Sequence, residues 1–178
     1  MSLQFCAMGP IRLAGAAALL LSTFLAQNLP PLETIPPTRD AYRIPPPATE
    51  ADIQKAIAAA KKDGKPVLLD MGAAWCIDCR ILWRNFERPE IAKILADSFH
   101  FVEMEVVAEK DGPWMKWADP NKTGIPTIVL VDGNGVVIPN NTGVRWRTAA
   151  TFSAETVKAY LLDLAEIGRK HMQAIAVK

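Results

Sequence analysis

The chain has 178 residues, enough for one domain with appendages, and half of them are hydrophobic, so a substantial core is within reach. Its formal net charge is +1 and its basic residues are dispersed, which argues against a polyanion-binding surface, so no nucleic acid is expected as a partner. Three cysteines are too few for a disulfide scaffold.

Residues 1–26 read as a signal peptide or an N-terminal membrane anchor. Arg12 and the amino terminus supply positive charge, and Leu13 to Ala26 follows without a charged residue. That stretch is shorter than the roughly 20 residues a comfortable span needs and suits a signal-peptide core. Cleavage after Ala26 would put bulky Phe24 where a small residue is preferred. Extending the apolar run back to Phe5, across Arg12, makes residues 5–26 a tether to the inner membrane. A buried helix of a cytosolic protein is the third reading, and the missing amphipathic pattern argues against it. Either of the first two readings carries the domain to the periplasm or cell envelope. Cys6 precedes the apolar run, whereas a lipidated cysteine follows one, so Cys6 is expected to be incidental.

Residues 27–48 form a proline-rich linker. Seven prolines fall between Leu29 and Pro47, a density that favours extended geometry and a semi-rigid spacer. The folded domain is expected over 49–172. Thr49 with Asp52 three residues on resembles a capping box, and Ile53, Ile57 and Ala60 mark one helical face up to Gly64. Pro66 to Met71 reads as a buried strand. A helix begins at the Cys76–Cys79 segment, breaks at Arg88-Pro89 and restarts, with Ile91, Ile94 and Leu95 on its apolar face. His100 to Val107 alternates as a second strand, with Glu103 and Glu105 on one side. Pro113 to Ala118 is a short helix at best. Thr127 to Val131 is a continuous buried strand, Asp132-Gly133-Asn134-Gly135 a hairpin turn, and Val136 to Ile138 the returning strand. Ser153 caps a last helix with Val157, Tyr160, Leu161, Leu164 and Ile167 at helical spacing. The order is α-β-α-β-α-β-β-α, without internal repeats.

The chemistry concentrates at Cys76-Ile77-Asp78-Cys79. A cysteine at a helix start faces unpaired backbone N–H groups and the positive end of the helix dipole, and both favour thiolate over thiol. The second cysteine, one turn on, is close enough to close a disulfide or break a mixed one. A structural disulfide or half of a zinc site are the bland alternatives. Zinc needs two further ligands, and beyond Cys6 the chain offers only His100 and His171, neither suitably spaced. No metal ligand set and no cofactor are expected.

The run Leu69-Asp70-Met71-Gly72-Ala73-Ala74-Trp75-Cys76-Ile77-Asp78-Cys79 resembles the active-site signature of the thioredoxin superfamily. Gly124-Ile125-Pro126-Thr127 matches that family's second signature, a loop with a cis-proline. The resemblance covers Thr49 to Gly168. It is closest to domains related to the C-terminal domain of the DsbD thiol:disulfide interchange protein, on the strength of the Arg88-Pro89 break and of Thr142-Gly143 before the last helix. It implies an α/β thioredoxin-like fold with a central mixed four- to five-stranded sheet flanked by helices.

The resemblance also implies roles. Cys76 is the expected nucleophile and Cys79 the resolving thiol. Asp70, six residues before Cys76 in an apolar strand, is expected beneath the disulfide as a buried carboxyl exchanging a proton with Cys79. Pro126 is the expected cis-proline, exposing the backbone of Ile125 to pair with extended substrate, and Trp75 flanks the sulfur as an apolar contact. Independently of the resemblance, Trp114 and Trp117, with Met115, either border the substrate surface or cap the core; the core is the expected place for them and for Trp83 and Trp146.

Asp78 between the cysteines disfavours a thiolate through like charge, and no cation in the loop stabilises the reduced form. A less stabilised thiolate means a more reducing couple. The expected function is an exported thiol–disulfide oxidoreductase acting as a protein-disulfide reductase. Its expected partners are disulfide-containing envelope proteins and a membrane electron transporter as reductant, and the chain itself is expected to be a monomer. The alternatives are a disulfide oxidase or isomerase, and a copper-binding module using the two thiolates. Copper carriers on this fold usually space their cysteines more widely and add a histidine.

Overall fold

The computed structural model describes residues 44–46, 48–106, 117, 124–139 and 145–177. The expected signal or anchor, most of the proline-rich linker, the Pro113–Ala118 helix apart from Trp117, Trp114, Met115 and Thr142-Gly143 lie outside these residues.

Helix α1 (Glu50–Asp63) starts where the capping box was expected. The Thr49 hydroxyl accepts from the Asp52 N–H, and the Asp52 carboxylate accepts from the Thr49 N–H at 2.8 Å. It ends at Gly64, whose φ of 79° suits a residue without a Cβ. Strand β1 (Val67–Gly72) follows, buried along its whole length. Helix α2 (Ile77–Phe86) and helix α3 (Pro89–Ser98) are divided at Arg88-Pro89, with the proline in the first turn of α3. Strand β2 covers His100–Glu105; Val106 lies just beyond it, its N–H still donating to the Gly72 carbonyl, and the expected strand end at Val107 lies outside the described residues.

Strand β3 (Thr127–Val131) and strand β4 (Val137–Ile138) form the hairpin. Val136 was expected in the returning strand but lies in the turn. The Asp132 carboxylate takes the N–H groups of Asn134 and Val136 at 2.8 and 2.9 Å, a side-chain substitute for backbone pairing. A 3-10 segment (Arg145–Thr151) leads to helix α4 (Ala154–Ala176), capped by Ser153 as expected.

The described strands make a mixed sheet in the order β2-β1-β3-β4, with β1 parallel to β2 and antiparallel to β3. Alternation along β1 sends its side chains to two cores. Leu68 joins Leu82, Trp83, Phe86, Ile91, Trp146 and Leu161 beneath α2, α3, α4 and the 3-10 segment. Val67, Leu69 and Met71 meet Ile53, Ile57, Ala60 and Trp117 on the α1 side. This is the expected thioredoxin-like architecture: the central strand is covered on both faces and ends at the cysteine helix. Trp83, Trp117 and Trp146 are all buried, as expected. Among the described residues, no helix is long and apolar enough to cross a membrane.

Candidate active site

The β1–α2 connection builds the centre of the site. After Gly72 the chain turns, with the Cys76 N–H donating to the Ala73 carbonyl at 2.9 Å. The Ala74 N–H donates to the Glu105 carboxylate on the neighbouring strand at 3.3 Å. Cys76 is the N-cap of α2, and its sulfur accepts from the Cys79 N–H at 3.2 Å. A sulfur in that position faces the unsatisfied donors of the first turn, which favour negative charge on it once the disulfide is open. Cys76 and Cys79 are joined in a disulfide, with Cα atoms 5.3 Å apart. Both cysteines are buried, Cys79 completely and Cys76 with 7% exposure, so Cys76 is the less enclosed of the pair.

The rim is apolar. Trp75 is 72% exposed and Ile77 41%, on either side of Cys76. On the far side of the sheet junction the Ile125–Pro126 peptide bond is cis, and the Cys76 sulfur lies 3.9 Å from the Ile125 carbonyl oxygen. Thr127 Oγ1 donates to the Gly124 carbonyl, closing the loop on itself. A Cβ on Gly124 would lie 3.4 Å from the exposed Arg147 guanidinium. The structure therefore brings Trp75, Cys76, Cys79, Ile125 and Pro126 into one place, from segments about fifty residues apart.

Asp70 is wholly buried on the β1 face that α2 covers. Trp83 Nε1 donates to its Oδ2 at 2.7 Å. Gly72, two residues on and on the same face, is where α2 comes closest to the strand. A Cβ there would lie 2.6 Å from Trp83 Cζ2 and 3.0 Å from Cys79 Cβ.

Two contacts were not foreseen. Trp83 is a core residue as expected, yet its indole N–H also donates to the buried Asp70 carboxylate. A signal was present: Cys79 and Trp83 are four apart, hence on one helix face. Asp78 acts through more than its charge: its carboxylate accepts from the Ala150 N–H of the 3-10 segment at 2.7 Å. No local pattern marks a partner 72 residues away. Among the described residues, no group of three or more His, Cys, Asp or Glu side chains is placed to hold a metal ion.

Comparison with known proteins agrees with this geometry. A family model described as thioredoxin-like matches residues 48–133. The thiol:disulfide interchange protein DsbD of Cronobacter sakazakii is 34% identical over 107 residues, which are 60% of this chain and 18% of that protein. DsbD of Escherichia coli K12 is 34% identical over 116 residues, 65% of this chain and 19% of its own length. The chain thus spans under a fifth of these curated relatives. A crystal structure of a disulphide isomerase from Xylella fastidiosa Temecula1 aligns with a TM-score of 0.59 at 28% identity, covering 64% of this chain and 88% of that one.

Proposed function

We propose that this chain, whose thioredoxin-like domain is similar to part of DsbD, is a disulfide oxidoreductase that works as an exported protein-disulfide reductase. Residues 1–26 are its signal or membrane anchor and residues 27–48 its spacer. Its partners are disulfide-bonded envelope proteins, and a membrane electron transporter returns it to the dithiol state. An oxidising compartment would otherwise hold the pair as an idle disulfide.

The observation that carries the reading is the placement of Cys76. It caps α2, is the less enclosed of the pair and sits beside the Ile125 carbonyl. In the reduced protein, the Cys76 thiolate attacks one sulfur of a substrate disulfide. The substrate's S–S bond breaks, a Cys76–substrate bond forms, and the other substrate sulfur leaves as a thiolate. Extended substrate pairs with the backbone at Ile125, against Pro126 and Trp75. Asp70 then takes the proton of Cys79. The Cys79 thiolate attacks Cys76 Sγ, releasing the second substrate thiolate and closing the Cys76–Cys79 disulfide. Two electrons pass to the substrate.

The reducing direction follows from Asp78, a carboxylate in the first turn between the two sulfurs that disfavours thiolate at either. Trapping with Cys79→Ala tests the function: it should accumulate envelope proteins as mixed disulfides on Cys76, released by dithiothreitol. Equilibration against glutathione tests the direction. A Cys76–Cys79 disulfide reduced as readily as that of a strong oxidant would replace the reductase with an oxidase or isomerase.

A further inference from the structure

We infer that Trp83 is a positioning residue for the redox step, its indole N–H holding the Asp70 carboxylate in the place from which it exchanges a proton with Cys79. The inference rests on the role proposed above for Asp70 and adds the group that makes that role workable.

The geometry is specific. Trp83 lies one helical turn beyond Cys79, so both side chains point at β1. The ring reaches past Cys79 because Gly72 has no Cβ: an added methyl would sit 2.6 Å from Trp83 Cζ2 and 3.0 Å from Cys79 Cβ. From there Nε1 meets Asp70 Oδ2 at 2.7 Å, with both residues wholly buried. Core packing alone does not require this. Trp146 is equally buried and packs edge-on against Phe152 and Tyr160, with no hydrogen-bond partner for its indole among the described residues. At Trp83 the donor is used, on a carboxylate two residues before Gly72, the strand position against which both Trp83 and Cys79 pack.

An indole N–H donates and does not titrate in the accessible range, so Trp83 cannot relay the proton itself. It does two other things. It fixes the side-chain orientation of Asp70, and it stabilises the ionised form against the cost of burial. The proton moves from Cys79 Sγ to the Asp70 carboxylate. The Cys79 thiolate so formed breaks the bond between Cys76 and the substrate sulfur, and Asp70 returns its proton to the departing thiolate or to solvent. No further reactant is needed.

The test compares Trp83→Phe, Asp70→Asn and the double variant, reading the rate at which a preformed Cys76 mixed disulfide resolves between about pH 6 and pH 9, around the thiol range. Trp83→Phe should slow resolution at least about ten-fold near neutral pH and move the midpoint of the pH profile up by about one to two units, the worth of one hydrogen bond to a charged group. In the Asp70→Asn background the same substitution should add nothing. A second readout uses the unaltered oxidised protein. The Trp83 indole N–H proton resonance should shift with pH along the Asp70 titration and stop doing so in Asp70→Asn. If Asp70→Asn alters the profile while Trp83→Phe leaves it in place, or slows both backgrounds equally at every pH, Trp83 is packing only and the inference fails. If the Trp83 resonance does not respond to Asp70, it also fails. If Asp70→Asn itself leaves the profile unchanged, the proposed role of Asp70 falls first.

Discussion

Replacing Asp78 separates what its charge does from what its hydrogen bond does. Its carboxylate accepts from the Ala150 N–H at 2.7 Å, pinning the first turn of α2 to the 3-10 segment that buries Trp146 and Ala149. A hydrogen bond to a charged group is worth about 1.5–3 kcal/mol, and the half-buried setting of Asp78 takes the lower end of that range. An acidic side chain in the first turn adds about 0.5 kcal/mol through the helix dipole. Asp78→Ala should therefore cost about 2 kcal/mol, which for a urea slope of about 2 kcal/mol/M lowers the unfolding midpoint by about 1 M. Asp78→Asn keeps an acceptor and should lose about half as much. Both variants remove the negative charge beside the sulfurs, so both should make the couple less reducing, by a similar amount. Urea denaturation of the oxidised proteins and equilibration against glutathione supply the two measurements. An Asp78→Ala midpoint equal to wild type would show that the contact with Ala150 carries no stability. An unchanged redox potential in both variants would remove the electrostatic argument for a reductase.

Two further predictions concern the far end of the sheet. Asp132 is buried, and burial pushes its carboxyl up, but the N–H groups of Val136 and Asn134 together with His171 outweigh this and hold it below its ordinary value. Folded Asp132 thus binds a proton more weakly than unfolded, so its contribution is complete above pH about 4 and drains away as the pH falls through its lower folded value. Asp132→Asn should flatten that part of the acid-unfolding curve. An acid transition of unchanged shape would mean that Asp132 contributes no pH-dependent stability. Gly133→Ala would put a Cβ 2.7 Å from the Lys61 Cα and 2.8 Å from its N, a backbone that cannot swing aside. It should cost about 1–3 kcal/mol in thermal or urea unfolding, and a wild-type melting curve would show that the hairpin and α1 can separate freely.

Local rules account for much of the fold. Thr49 and Ser153 are capping residues by type, Gly64 ends a helix because it alone takes a positive φ without strain, and Pro89 restarts one because a first turn needs no N–H there. The cysteine pair was legible for the same reason. Its chemistry depends on a spacing of three and on a strand-to-helix transition, both written within a dozen residues. Val136 was misplaced because the Asp132 side chain competes for its N–H, an outcome decided by geometry that alternation does not encode.

By itself, then, the sequence determined the order of the described strands and α-helices, their capped ends, the Cys76–Cys79 pair and the apolar setting of Asp70, since each depends on neighbours a few residues away. Tertiary structure decided which distant groups complete the site. The sheet order β2-β1-β3-β4 brings Ile125 to Cys76 across 49 residues, and the packing of the 3-10 segment brings the Ala150 N–H to Asp78 across 72. Trp83 reaches Asp70 because Gly72 lets α2 lie close on β1. A periodic pattern reports which face of an element is buried. It carries no information on which polar atom of another element will meet it there, because that choice belongs to the packing of the whole domain.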